Sequence, residues 1–114
     1  MVARRPRVPD RGDVVWITLA PPAGAKRAGR QPAVVVSPAA YNGKVGRALL
    51  CPITSRIKGY PFEVPIPAGL PVTGVVLSDQ IKSLDWRIRR AERICTLPRP
   101  AVTEVLQKLG ALLT

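Results

Sequence analysis

Proline is spread through the whole chain, with 13 of these residues among 114. Because proline lacks a backbone N–H and has a fixed φ, it interrupts both helices and central strands. Long regular elements are therefore disfavoured over most of the sequence, and short strands joined by tight connections are favoured. A chain of this length supports one modest hydrophobic core, so we expect a single domain over residues 1–114.

Several segments between the prolines carry the β-branched and aromatic residues that are typical of strands. Strands are predicted at residues 13–19, 32–37, 47–53, 62–66, 73–77 and 87–96. Tyr41-Asn42-Gly43-Lys44 predicts a turn, and the Gly-, Pro- and Ala-rich connection over residues 20–31 is expected to be exposed and mobile. Strands recurring about every ten residues favour a small barrel or sandwich.

The C-terminal segment has a different periodicity. Its apolar residues fall at helical spacing, namely Val102, Val105, Leu106, Leu109 and Leu112 or Leu113. Pro98 and Pro100 suit a helix start, and Glu104 is expected in the first turn, where the helix dipole favours an acid. The predicted fold class is therefore mostly β with a terminal α-helix.

Charge and the absence of certain residue types limit the function. A net charge of +11 favours a polyanionic partner, either nucleic acid or an acidic protein. The chain has no histidine and only Cys51 and Cys95, which are expected to be small buried residues, so no metal site or cofactor is expected. Its apolar runs are too short to span a membrane, and residues 1–10 do not resemble a signal peptide, so a cytoplasmic location is expected.

Six segments, in order, carry a resemblance to a known family. They are VPDRGDVVW (8–16), PAVVVSP (32–38), YN (41–42), CPITS (51–55), KGYPFEV (58–64) and DQIKSLDWR (79–87). Together they resemble the MazF/PemK family, the toxin half of bacterial type II toxin–antitoxin pairs. The resemblance implies an SH3-like barrel that forms a homodimer, cleaves single-stranded RNA through the RNA's own 2′-hydroxyl, and is blocked by an acidic, MazE-like antitoxin.

The resemblance also implies which residues act. In the family a catalytic arginine directly precedes the proline of the second strand, and a threonine at the end of the third strand assists it. The threonine corresponds to Thr54, but the arginine position holds Gln31, and Arg30 lies one residue earlier. On a regular strand a shift of one residue turns a side chain to the opposite face.

Three explanations of this departure remain open. Arg30 is the first choice, because it lies at a loop–strand junction where alternation need not hold. In the second explanation, Arg56 or Arg27 supplies the positive charge of the family's arginine. In the third, cleavage is weak or absent. Contacts to RNA are expected from Lys26, Arg27, Gln31, Ser55, Lys58, Asp79, Gln80 and Arg87; Lys26 replaces a glutamate common in the family.

Other residues admit structural interpretations. Trp16 and Trp86 are expected in the core or a dimer interface rather than stacked on bases. Glu63 is expected to serve strand geometry, although it is also one of the few acids available as a base. Two alternative functions fit the same barrel: a non-enzymatic toxin that poisons a protein such as DNA gyrase, and a nucleic-acid-binding module without turnover.

Overall fold

The computed structural model describes residues 7–20 and 29–114. The elements in chain order are β1 (Asp13–Ala20), β2 (Gly29–Val35), α1 (Ala39–Val45), β3 (Arg47–Thr54), β4 (Glu63–Pro65), β5 (Val75–Leu77), β6 (Lys82–Asp85), β7 (Glu92–Thr96) and α2 (Arg99–Ala111). The mostly β fold with a C-terminal helix confirms the predicted fold class. None of the described helices is long and apolar enough to cross a membrane.

The described strands form one antiparallel sheet that divides at β3. The main path runs β4-β5-β3-β2-β1-β7, and β6 pairs with β3 off this path. The first half of β3 pairs with β6 through Leu50 and Lys82, whereas its end pairs with β5 through Thr54 and Val75. β2, β5 and β6 therefore all pair with β3, and the second half of β3 lies where the partner changes from β6 to β5.

Each face of the sheet packs a separate core. Alternation along β1 sends Val14 to a cluster beneath α2, whereas Val15 and Ile17 join a second cluster around Trp86. Trp86 is only 2% exposed, so its predicted core position is confirmed, but Trp16 is 41% exposed. Both faces of the central strands are thus apolar, which explains the continuous hydrophobic run in β2.

The C-terminal helix α2 lies close to its predicted position. Pro98 is its N-cap residue and Pro100 lies in its first turn, while Val102, Val105 and Leu109 are buried. Because the helix begins at Arg99, Glu104 lies beyond the first turn, so its predicted pairing with the helix dipole is wrong. Glu104 instead forms an i,i+4 ion pair with Lys108 at 3.1 Å.

Residues 41–44 lie within helix α1 rather than in the predicted turn. Asn42 is fully buried, and its amide donates to the carbonyls of Pro9 at 2.8 Å and Ser37 at 3.0 Å. The Trp86 indole in turn donates to the Asn42 carbonyl at 3.0 Å. These bonds, of which those to Pro9 and from Trp86 are long-range, stabilise a helical turn that local propensity alone does not favour.

The predicted strand over residues 87–96 is wrong in its first half. The structure has a tight turn at residues 86–91, flanked by β6 and β7. Arg90 adopts a φ of 57°, and the Ala91 amide donates to the Trp86 carbonyl at 2.9 Å. A segment expected to be extended therefore folds back on itself, because hydrogen bonds within the turn and to other strands hold it.

The predicted connection over residues 20–31 is shorter than expected, because β2 begins at Gly29 and includes Arg30 and Gln31. Residues 21–28, with Lys26 and Arg27, lie outside the described residues.

Both cysteines are free, with Cys51 buried and Cys95 partly buried. Burial, with a smaller contribution from the Asp79 carboxylate, raises the pKa of the Cys51 thiol to about 12.

Candidate active site

A cavity of about 530 Å³ lies over the ends of β2 and β3. We call this cavity the groove. Its polar lining consists of Gln31, Thr54, Ser55, Thr73, Gln80 and Lys82. Hydroxyl and amide groups thus surround a space large enough for a phosphodiester and its neighbouring sugar.

Strand alternation places Gln31 and Thr54 on the same side of the sheet. Ala33 pairs with Pro52 across the antiparallel strands β2 and β3. Gln31, two residues before Ala33, and Thr54, two residues after Pro52, therefore share that face. The Thr54 hydroxyl accepts a hydrogen bond from the backbone N–H of Arg56 at 3.1 Å. This bond leaves the hydroxyl proton of Thr54 free to donate into the groove.

Arg30 lies on the opposite face from Gln31. It pairs with Thr18 on β1, and its guanidinium donates to the Arg90 carbonyl at 2.8 Å and the Glu92 carboxylate at 2.7 Å. A further bond of 3.3 Å reaches the Arg89 carbonyl. The structure therefore brings Gln31, not Arg30, beside Thr54, and the alternation of a regular strand does hold at this junction.

A second cavity of about 130 Å³ adjoins the groove, and we call it the side pocket. Thr54 and Gln80 line both cavities. Arg56 and Lys58 line the side pocket and are exposed, so they bring positive charge next to Thr54. Among the described arginines that were considered as catalytic residues from the sequence, Arg56 is thus the one that lies next to Thr54.

The segment between β3 and β4 is held by buried and hydrogen-bonded groups. The Glu63 carboxylate accepts the backbone N–H groups of Lys58 at 2.9 Å and Gly59 at 2.8 Å. Glu63 is only 7% exposed, and each of its oxygens has a backbone partner. It is therefore poorly placed to take a proton from a substrate.

Asp79 and Gln80 lie in different environments, although both are expected to contact RNA. Asp79 accepts a hydrogen bond from the Tyr60 hydroxyl at 2.9 Å, whereas Gln80 lines both cavities. Desolvation and the bond to Asp79 raise the pKa of the Tyr60 phenol, so it stays protonated as a donor. Asp79 thus fixes the wall of the side pocket, and Gln80 faces the space that a ligand would fill.

Lys82 is a groove residue that sequence reasoning missed. Among the described residues that line the groove, it carries the one positive charge. It begins β6 and pairs with Leu50, so its position depends on a strand that the sequence pattern did not predict. The signal was present in the DQIKSLDWR segment, where Lys82 is the one cation before the turn.

Arg87 lies apart from the groove. Its guanidinium stacks over the Trp86 ring at 5.0 Å, and both residues line a different surface hollow next to Arg90. The described residues also contain no group of three or more His, Cys, Asp or Glu side chains placed to hold a metal ion.

Comparisons with known proteins identify the family and agree with this fold. The family model described as the PemK-like, MazF-like toxin of type II toxin–antitoxin systems matches residues 10–113. The endoribonuclease toxin MazF of Escherichia coli K12 is 42% identical over 106 residues, covering 93% of this chain and 95% of that protein. The endoribonuclease PemK of Escherichia coli is 31% identical over 118 residues, covering 99% and 88%.

Solved structures give the same result. Crystal structures of MazF and of a MazE–MazF complex from Deinococcus radiodurans share 56% identity with this chain. Their TM-scores are 0.86 and 0.89, covering 95% of this chain and 98% and 97% of those chains. The protein is thus a barrel-like toxin of a type II toxin–antitoxin system, and the chain belongs to the PemK-like, MazF-like family.

Proposed function

We propose that the protein is an endoribonuclease that cleaves single-stranded RNA by attack of the RNA's own 2′-hydroxyl on the adjacent phosphate. The observation that carries this proposal is the groove, where Thr54 and Lys82 meet beside Arg56. Because the nucleophile belongs to the substrate, its proximity is built in and no metal-bound water is needed. The products are a 2′,3′-cyclic phosphate and a 5′-hydroxyl.

The protein's main task in this reaction is to stabilise the extra negative charge of the transition state. Thr54 donates a hydrogen bond to a phosphate oxygen, and Arg56 donates from a planar guanidinium. Lys82, which lines the same groove, adds a point charge. Gln31 contributes amide hydrogen bonds without charge, so the cations of β6 and of the segment after β3 replace the arginine that the family has at this position.

Binding of the rest of the RNA strand extends from the groove into the side pocket. Ser55, Lys58 and Gln80 line these cavities and supply hydroxyl, ammonium and amide groups to phosphates and base edges. Asp79 and Arg87 remain predicted contacts outside this cluster, and Lys26 and Arg27, which are not among the described residues, also remain predicted contacts. Arg30 is assigned a bracing role instead, because its donors are engaged on the other face.

The test is cleavage of a 5′-labelled single-stranded RNA in EDTA, with mapping of 5′-hydroxyl ends. We expect Thr54→Ala, Arg56→Ala and Lys82→Ala each to lower kcat/KM by roughly tenfold to a thousandfold. A substrate with a single 2′-deoxyribose at the cut site should resist, and equal cutting of that substrate would refute the 2′-hydroxyl mechanism. Growth arrest by a protein that cleaves no RNA would favour a protein target instead.

We further propose a homodimer that an acidic antitoxin inhibits. The net charge of +11 suits an acidic chain as well as RNA, and the similar Deinococcus radiodurans protein was crystallised as a MazE–MazF complex. Trp16 and Ile88 leave apolar surface exposed that a second subunit would cover. Light scattering should give twice the 12.3 kDa chain mass, and the chain mass alone would refute the dimer.

A further inference from the structure

Glu63 joins three parts of the molecule, and the proposed reaction needs them in fixed relative positions. It begins β4, its carboxylate reaches back into the segment that follows β3, and its backbone carbonyl faces helix α2. Its 7% exposure is unusual for a carboxylate, because a buried charge is costly unless it is fully hydrogen-bonded. Such a group needs a structural or chemical reason.

The carboxylate makes two charge-assisted bonds to consecutive backbone N–H groups, at Lys58 and Gly59. Gly59 has a φ of 82°, the left-handed conformation that lets the backbone turn both amides toward one acceptor. The Tyr60 carbonyl then accepts the Glu63 N–H at 3.2 Å and closes the turn. The carboxylate therefore fixes the backbone just after Arg56.

The other side of Glu63 is held by α2. The Lys108 ammonium donates to the Glu63 carbonyl at 2.9 Å, while Glu104 keeps Lys108 in place at 3.1 Å. The segment after β3 is thereby linked through Glu63 to α2, the longer of the two described helices. Thr54 is held separately by its pairing with β5.

We propose that Glu63 is a positioning residue that fixes residues 55–62 so that Arg56 and Lys58 lie beside Thr54. It lines the side pocket but acts through the backbone, because both of its carboxylate oxygens are bound by backbone N–H groups. The carboxylate replaces the water that would otherwise solvate the two amides, so the loop is ordered before RNA binds. This inference rests on the proposed RNA cleavage, because Arg56 is assigned its role there.

The test compares Glu63→Gln with Glu92→Gln, which makes the same chemical change in a carboxylate on the opposite face. Glutamine keeps the shape but turns one acceptor into a donor, so one amide loses its partner. By amide hydrogen exchange, Lys58 and Gly59 should exchange at least about tenfold faster in Glu63→Gln only. The kcat for RNA cleavage should fall roughly tenfold to a hundredfold, with KM changed less.

A double-mutant cycle distinguishes positioning from general support. In an Arg56→Ala background, Glu63→Gln should lower kcat by less than about threefold, because Arg56, the one of the two positioned cations that acts on the transition state, is gone. An undiminished cost in that background would overturn the proposal, and so would unchanged exchange at Lys58 and Gly59. If Glu63→Gln does not fold, Glu63→Asp keeps the charge but shortens its reach, and the same expectations and refutations apply to it.

The exchange measurement does not depend on the enzyme's activity. If wild-type protein cleaves no RNA while the two amides still lose protection in Glu63→Gln, the proposed function fails and the loop role stands. If wild type cleaves RNA and Glu63→Gln matches it in both exchange and kcat, the loop role fails alone.

Discussion

Replacing Arg30 with alanine tests the assignment of each side chain to a face of β2. If Arg30 braces the turn at residues 86–91, Arg30→Ala should lower stability and leave RNA cleavage within about threefold of wild type. If Arg30 instead contacts the phosphate, the variant should lose most of its activity and little of its stability. The two explanations thus predict opposite patterns in two independent measurements.

The expected loss of stability follows from the bonds that Arg30 makes. Its ion pair with Glu92 is short, at 2.7 Å, but Glu92 is 68% exposed, so solvent reduces its contribution to between about 0 and 1 kcal/mol. The bond to the Arg90 carbonyl at 2.8 Å contributes about 1 kcal/mol, and the 3.3 Å bond to Arg89 contributes less. The 3.5 Å contact with the Trp16 carbonyl is too long to count.

The total is a loss of about 1 to 2 kcal/mol in the free energy of unfolding, or roughly 5 to 10 °C in Tm for a chain of this size. Urea denaturation and calorimetry at fixed protein concentration measure it, with Glu92→Gln as the control that removes the ion pair alone. That control should lose less than about 1 kcal/mol. A folded Arg30→Ala protein with normal stability and no cleavage would refute the face assignment.

The complementary change moves the guanidinium into the groove. The double variant Arg30→Gln with Gln31→Arg should raise kcat about tenfold over the Arg30→Gln single variant, because a charged fork then faces Thr54. Its stability should match that single variant, since the brace is lost in both. No gain in kcat would show that Lys82 and Arg56 already supply all the charge that the reaction uses.

Further predictions concern Gly74, Arg90 and Cys51. Gly74 has a φ of 113°, and a Cβ there would clash with the Thr54 carbonyl. Gly74→Ala should therefore lower the free energy of unfolding, measured by urea denaturation, by at least about 2 kcal/mol and should also lower RNA cleavage. Gly69→Ala is the control and should lower it less, because Gly69 has a φ of 93° but open space around it. Arg90→Gly should raise Tm or leave it unchanged by relieving the positive φ, and a marked decrease would contradict this. Between about pH 9 and 12 the unfolded chain loses the Cys51 proton that the folded chain keeps, so the free energy of unfolding falls as pH rises. Cys51→Ala should show a flatter dependence of this free energy on pH than Cys95→Ala. Equal slopes in the two variants would argue against the raised pKa of Cys51.

The parts of the fold that the sequence predicts are those set by local composition or periodicity. The apolar residues of α2 have a helical period that its burial follows, whereas β1 and β3 are short apolar runs in which most residues are buried. The sequence predicts a turn in place of helix α1, because this helix depends on Asn42. The side-chain amide of Asn42 donates a hydrogen bond to the carbonyl of Pro9, 33 residues away. No local pattern reports a partner at that distance.

The turn at residues 86–91 was missed for the same physical reason. Its residues resemble the start of the strand that follows, yet Arg89 donates to the Leu19 carbonyl at 2.9 Å and Arg30 donates to two carbonyls of the turn. These bonds join the turn to β1 and β2, which are distant from it in sequence. Missing the turn also hid β6, and with it the placement of Lys82 at the groove.

The candidate site shows how far the alternation of a strand constrains chemistry. Moving an arginine by one residue along β2 changes its environment from a groove beside Thr54 to an ion pair with Glu92. The reaction still needs positive charge at the phosphate, because a phosphodiester gains negative charge as the 2′-oxygen attacks. Among the described residues, that charge is available from neighbours of Thr54 on other elements, namely Lys82 on β6 and Arg56 and Lys58 after β3. Since Arg56 is on a loop, its usefulness depends on how rigidly that loop is held, which makes the buried carboxylate of Glu63 part of the same solution.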